Sequence, residues 1–199
     1  MRFAGKTIVV TGSGRERGLG QAILRRFADE GANCVVSDLT ITPEAKGVAA
    51  DLSARGVKVA TIPCDVGKVT QCQALMRKTV ETFGRLDILV NNAGIGFMMK
   101  PLLDVEPSDW DTVIGVNLSG AFYCTQAAAR AMIEGKTGGR IINIASQAAK
   151  TGFPHMASYV SSKHGMIGLT RTSAIELGVH GITVNAVCPN HVTTGLGSD

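Results

Sequence analysis

The chain has 199 residues, 45% of them hydrophobic, and a formal net charge of +4. That length suits one domain, 1–199, with ample apolar material for a buried core, and the composition excludes general disorder. Aromatic residues make up only 5% against 24 glycines, which suits helices packed closely on a sheet and argues against base stacking, so no nucleic-acid partner is expected. The basic residues form no run and describe no polyanion-binding face.

Short β-branched runs alternate with helix-length segments along the chain. Residues 7–11, 33–37, 57–63, 86–91, 140–146 and 182–188 read as strands, and 20–30, 43–55, 69–83, 107–134 and 155–177 read as helices. Continuously apolar strands alternating with helices imply parallel crossovers covered on both faces, hence an α/β doubly wound parallel sheet. Residues 135–139 are a turn and no linker, and no internal repeat is present. Cys34, Cys64, Cys72, Cys124 and Cys188 lack Cys-x-x-Cys spacing and read as reduced core residues. Met1 to Lys6 leads directly into a strand signal without a signal peptide, and no apolar stretch reaches a membrane span. A cytoplasmic protein without a membrane partner is the expectation.

Between the first strand and the first helix lies Thr11-Gly-Ser-Gly-Arg-Glu-Arg-Gly-Leu-Gly20. Glycines there let the backbone turn sharply and let helix N-terminal amides face a pyrophosphate. Asp38 closes the second strand, where a carboxylate can accept hydrogen bonds from adenosine ribose hydroxyls. Further on, Tyr159 and Lys163 share one helix face at i and i+4, and Ser146 ends the fifth strand signal thirteen residues before Tyr159. An ammonium beside a phenol favours the ionised phenol, so this trio can move a proton while a hydride passes. The Ser146 hydroxyl can orient a substrate oxygen. His155, His164, His180 and His191 lack metal-ligand spacing, and no metal is expected.

With these motifs in place, the chain resembles the short-chain dehydrogenase/reductase family of Rossmann-fold oxidoreductases over nearly its whole length. The resemblance rests on the glycine loop, Cys64-Asp65-Val66, Asn91-Asn-Ala-Gly94, Asn117, Ser146 and the Tyr159/Lys163 pair. It implies that Gly12, Gly14, Arg17, Gly18, Leu19, Gly20 and Asp38 hold a dinucleotide, that Asp65 and Val66 border its adenine, and that Asn92, Ala93 and Gly94 run beneath it. Pro189, Val192 and Thr194 fall at the nicotinamide end, and Asn117 holds a water linked to Lys163. Gln147, Phe97, Met98 and Phe153 occupy substrate-pocket positions. The resemblance also implies a small-molecule alcohol or ketone substrate and a homodimer or homotetramer. Family members continue into a substrate lid and a final strand, and the sequence to Asp199 is expected to lack both.

Two departures stand out. Five residues separate Gly12 from Gly18 where the family usually has three, so either Gly12 or Gly14 takes the first glycine's place. Asn190 follows Pro189 where a glycine is common, and its amide either narrows the nicotinamide end or serves the substrate. Asp38 favours NAD(H), whereas Arg15 and Arg17 pull towards NADP(H), with Glu16 between them. The expected activity is an alcohol dehydrogenase or ketone reductase. An NADPH-dependent 3-oxoacyl-[acyl-carrier-protein] reductase is the alternative, and a dinucleotide-sensing protein without turnover is the third reading.

Overall fold

The computed structural model describes residues 1–96, 99–190 and 192. Six strands, β1 (Thr7–Thr11), β2 (Asn33–Ser37), β3 (Val59–Thr61), β4 (Ile88–Asn91), β5 (Arg140–Ile144) and β6 (Thr183–Val187), form one parallel sheet in the order β3-β2-β1-β4-β5-β6. Between them run α1 (Leu19–Asp29), α2 (Pro43–Ser53), α3 (Val69–Phe83), α4 (Pro107–Ile114), α5 (Gly120–Glu134) and α6 (Ala157–Gly178). Neighbouring strand residues face opposite sides, and here both sides are apolar. Ile8 and Val10 pack with Leu24, Ala28, Val48 and Leu52 of α1 and α2, while Val9 packs with Leu75, Met76, Cys124 and Met132 of α3 and α5. The doubly wound sheet expected from the sequence is the result.

Local chemistry sets the ends of the elements. Pro43 starts α2 behind Thr42, whose Oγ1 accepts a hydrogen bond from the Ala45 amide at 3.2 Å, because a missing N–H costs nothing in a first turn. Gly84 stops α3 in the left-handed region at φ 75°. The strand expected over 57–63 shrinks to Val59–Thr61, since this edge strand pairs only with residues 34–36 of β2. The helix expected from 155 starts at Ala157, because His155 has φ 64° and cannot continue a right-handed turn. The helix expected over 107–134 is interrupted by a π turn at Gly115–Ser119. At its centre the fully buried Asn117 bonds both backbone groups of Ile95, 2.8 and 2.9 Å away. The wider turn accommodates that bonding, and such turns recur at functional sites.

All five cysteines are free thiols. Among the described residues, no helix is long and apolar enough to cross a membrane.

A polar thread runs through the apolar layers at the carboxyl ends of the central strands. Asn91 Nδ2 donates to Asn143 Oδ1 at 2.8 Å and to Thr125 Oγ1 at 3.0 Å. Asn143 Nδ2 donates to Thr170 Oγ1 at 2.8 Å, and that hydroxyl donates to the Met166 carbonyl. The thread ties β4 and β5 to α5 and α6, and each side chain in it is buried. Asn143→Ala takes one hydrogen-bond partner from each of two buried groups, Asn91 and Thr170, so it is expected to lower stability by about 1–3 kcal/mol. Urea unfolding should show a lower midpoint with an unchanged slope; an unmoved midpoint would show that the thread contributes nothing net.

Candidate active site

The strand order reverses between β1 and β4, so the chain leaves these neighbours towards opposite faces and opens a crevice beyond their carboxyl ends. The crevice is a cleft of about 900 Å³. Gly12, Arg15, Glu16, Arg17, Gly18, Leu19, Asp38 and Glu44 line one end, and Asp65, Val66, Asn92, Ala93 and Gly94 line the middle. Ser146, Gln147, Phe153, Met156, Tyr159, Lys163, Pro189, Asn190 and Val192 line the other end. Of the expected site residues, Gly14, Gly20 and Asn117 sit behind the wall rather than on it. Thr194, like His191, Phe97 and Met98, lies outside the described residues.

At the glycine end, the sharp turn after β1 is made at Gly12, which has φ 64°. A Cβ there would stand 2.8 Å from the Ala93 Cα, and one on Gly20 would stand 2.7 Å from Asn92 Nδ2 and 2.8 Å from the Gly12 carbonyl oxygen. Both positions therefore demand glycine. Gly14 has a different part: its N–H donates to Asp38 Oδ2 at 2.9 Å, and a Cβ on it would come within 3.0 Å of that same oxygen. Asp38 Oδ1 accepts from the Leu39 amide at 2.9 Å, so each carboxylate oxygen already holds one backbone amide, and this cleft-lining carboxylate has further acceptor capacity.

Thr11 is a residue the sequence reading passed over. Its Oγ1 accepts from the Asn92 and Ala93 amides, both at 3.1 Å, while Asn92 Nδ2 donates to the Thr11 and Gly12 carbonyls, both at 2.9 Å. The available signal was a threonine closing one apolar strand and an Asn-Asn pair closing another. In the middle of the cleft, Asp65 Oδ1 accepts from the Gly67 amide at 3.0 Å.

At the far end, α6 presents Tyr159 and Lys163 together, with Lys163 Nζ 5.6 Å from the centre of the tyrosine ring. Lys163 is only 4% exposed, and its Nζ donates to the Ile144 carbonyl at the end of β5 at 2.8 Å. Burial pushes the Lys163 amine down to about 8, with a weaker opposing influence from Cys188. A Cβ on Gly94 would be 3.4 Å from Asn117 Oδ1 and 3.8 Å from Lys163 Nζ, so the bare backbone at Gly94 passes close to both groups. Asn117 also donates to Ser162 Oγ at 3.2 Å, and that hydroxyl donates to the Tyr159 carbonyl at 2.7 Å. Ser146 Oγ accepts from the Ala148 amide at 3.1 Å and caps the short 3-10 turn Gln147–Ala149. The Gln147 amide donates to the Pro189 carbonyl at 2.8 Å and joins the loops after β5 and β6. Ser162, the Ile144 carbonyl and Glu44 were not singled out from the sequence; a backbone carbonyl carries no side-chain signal at all.

A lysine depressed from 10.5 to about 8 destabilises the fold while charged. The unfolded chain binds more protons than the folded one between those two values, so this contribution makes stability rise as pH climbs through that window. Lys163→Met removes the titration. Its stability advantage over the wild type is expected to shrink by about 3 kcal/mol between pH 7 and pH 10.5. Urea midpoints of both proteins across that range test this, and a pH-independent difference would contradict it.

Comparison with known proteins agrees with this geometry. The sequence profile of the family described as short chain dehydrogenase matches residues 6–199. The chain is 40% identical over 196 residues to the (2S)-[(R)-hydroxy(phenyl)methyl]succinyl-CoA dehydrogenase subunit BbsD of Thauera aromatica, covering 98% of this chain and 77% of that protein. It is 38% identical over 191 residues to the 3-oxoacyl-[acyl-carrier-protein] reductase FabG of Staphylococcus aureus, covering 96% and 76%. The crystal structure of an NAD+-bound xylitol dehydrogenase superposes with a TM-score of 0.91 at 35% identity, covering 98% of this chain and 74% of that one. With the profile spanning almost every residue and relatives this similar along most of their own length, the chain belongs to the short chain dehydrogenase family of oxidoreductases.

Proposed function

We propose that residues 1–199 form one dinucleotide-binding domain that moves a hydride between a nicotinamide dinucleotide and a small secondary alcohol or ketone. The observation that carries this reading is that a single cleft holds the glycine junction and Asp38 at one end and Ser146, Tyr159 and Lys163 at the other. The dinucleotide fits on the chain's own terms. Gly12 and Gly18 line the cleft without side chains, so bare backbone meets the ligand beside the N-terminus of α1, where partial positive charge suits a pyrophosphate.

In this reading Asp38 receives the adenosine ribose, Asp65 and Val66 border the adenine, and Asn92, Ala93 and Gly94 form the floor. Arg17, Gly18 and Leu19 lie along the phosphates, and Pro189, Val192 and Thr194 belong to the nicotinamide end. When bound, the nicotinamide supplies or takes up the hydride. Tyr159 gives or takes the proton at the substrate oxygen, and the buried Lys163, with its Nζ 5.6 Å from the tyrosine ring centre, holds the nicotinamide ribose. Ser146 spends an acceptor site on Ala148 and keeps its O–H to donate to the substrate oxygen, where charge develops. Gln147 and Asn190 offer amides to the substrate, and Asn117 continues a proton path from Lys163 through water. Exposed Phe122, Ile175 and Val179 support a homodimer or homotetramer, and free cysteines suit a cytoplasmic setting.

Tyr159→Phe removes the acid-base oxygen and keeps the ring. Turnover is expected to fall to less than about one hundredth, the scale of a lost general acid, with dinucleotide affinity unchanged. Binding and turnover measured side by side decide this, and a variant retaining a tenth of wild-type rate would remove Tyr159 from the chemistry.

NAD(H) is the preferred cofactor in this reading. A 2′-phosphate beside the Asp38 carboxylate costs on the order of 4 kcal/mol at an effective dielectric near 20, and the NAD+-bound relative supports the same choice. The second reading, a 3-oxoacyl-[acyl-carrier-protein] reductase using NADPH, draws support from the relative of that name and from Arg15 and Arg17 at the same end of the cleft. Those arginines are exposed and act through water, whereas Asp38 is anchored by two amides. Steady-state efficiency should favour NADH in the wild type and move towards NADPH in Asp38→Ser. A wild type that favours NADPH would select the second reading.

A further inference from the structure

The two additional residues of the glycine loop are folded into a tight turn in which the Gly18 amide donates to the Arg15 carbonyl at 3.1 Å. Arg15, Glu16 and Arg17 project into solvent at its tip. Two carboxylates from outside the loop hold it down. Asp38 takes the Gly14 amide at its root, and Glu44 Oε1 accepts from the Glu16 amide at its tip, at 2.6 Å. Glu44 is well placed to be an anchor: it lies in the first turn of α2, which Pro43 and the Thr42 cap make rigid. Both Glu44 and the loop tip line the same end of the cleft.

We propose that Glu44 is a positioning residue for the dinucleotide, latching the lengthened loop onto α2 so that the phosphate-binding backbone is already ordered before the ligand arrives. This rests on the dinucleotide reading of the cleft. A longer loop has more conformations to lose on binding, and a fixed acceptor at its tip removes that cost in advance. A charge-assisted bond from a backbone amide to a carboxylate is among the stronger hydrogen bonds available to a surface loop. The latch also closes a circuit: Asp38, the ribose partner, and Glu44 grip the loop at two points, so the ribose and pyrophosphate ends of the site share one rigid unit.

Arg15 and Arg17 make the tip a tryptic site, which allows a test independent of the cofactor. The ligand-free full chain, Glu44→Ala and Glu44→Gln are digested briefly with trypsin and cleavage after Arg15 and Arg17 is followed by mass spectrometry. Glu44→Ala should be cut about five- to tenfold faster, the scale of losing one charge-assisted bond, and Glu44→Gln, which keeps an acceptor oxygen, should recover most of the protection. NAD+ dissociation constants should weaken in Glu44→Ala by a similar factor, with KM for the dinucleotide rising and kcat changing less than about twofold. Equal cleavage of all three proteins overturns the latch. Faster cleavage with wild-type NAD+ affinity overturns its role in positioning, and Glu44→Gln behaving like Glu44→Ala assigns the effect to charge at the helix start instead. A wild type that binds neither NAD+ nor NADP+ overturns the dinucleotide reading itself, and the cleavage rates then still decide the latch.

Discussion

The structure depends on what happens where β1 and β4 stop being partners. The two strands pair in parallel through Val10 and Val90 and then depart to opposite faces, which exposes backbone groups with no strand to receive them. Unpaired buried groups of that kind are costly. Thr11 and Asn92 satisfy them reciprocally, the hydroxyl receiving two amides and the carboxamide giving to two carbonyls. This four-bond junction fixes the separation of the two chain segments, and Gly12 and Gly20 are glycines because the segments then lie too close for a Cβ. The cleft is the space left over.

From that junction the site extends in both directions by the same device, side-chain carboxylates, amides, hydroxyls and one ammonium that bind backbone. Asp38 holds Gly14, Asn117 holds Ile95, Ser146 caps its own turn, and Lys163 rests on the Ile144 carbonyl. Side chains tethered to main chain have few rotamers left to lose, which is what keeping reacting groups in position requires. The cost appears at Lys163, where burial pushes the amine down to about 8. Groups shifted this far by burial in a cleft cluster at functional sites.

Much of this was legible in the residues. The apolar runs alternate with amphipathic stretches, and a sheet covered on both sides can be read from them because burial on two faces leaves no polar alternation. The strands at Thr7–Thr11 and Asn33–Ser37 and the helix at Val69–Phe83 lie where the sequence puts them. Tyr159 and Lys163 share a face through helical periodicity alone, and the structure places Ser146 at their end of the cleft. The less legible elements are those whose limits come from distant partners. The third strand is short because only three residues of β2 pair with it, and the long helix is interrupted where Asn117 reaches across to Ile95.

The amino-acid sequence by itself determined the layer architecture, the position of the glycine loop and the residue types at each end of the cleft, because these follow from local periodicity and from chemistry carried on single side chains. Only the tertiary structure decided that Gly12 makes the turn while Gly14 serves Asp38. It also decided that Lys163 is buried against a carbonyl and that Glu44 reaches the tip of the loop. The Gly14–Asp38, Glu16–Glu44 and Lys163–Ile144 contacts join groups 19 to 28 residues apart along the chain, and such pairings are set by where the sheet and helices bring backbone amides and carbonyls, groups that every residue carries and no sequence pattern marks.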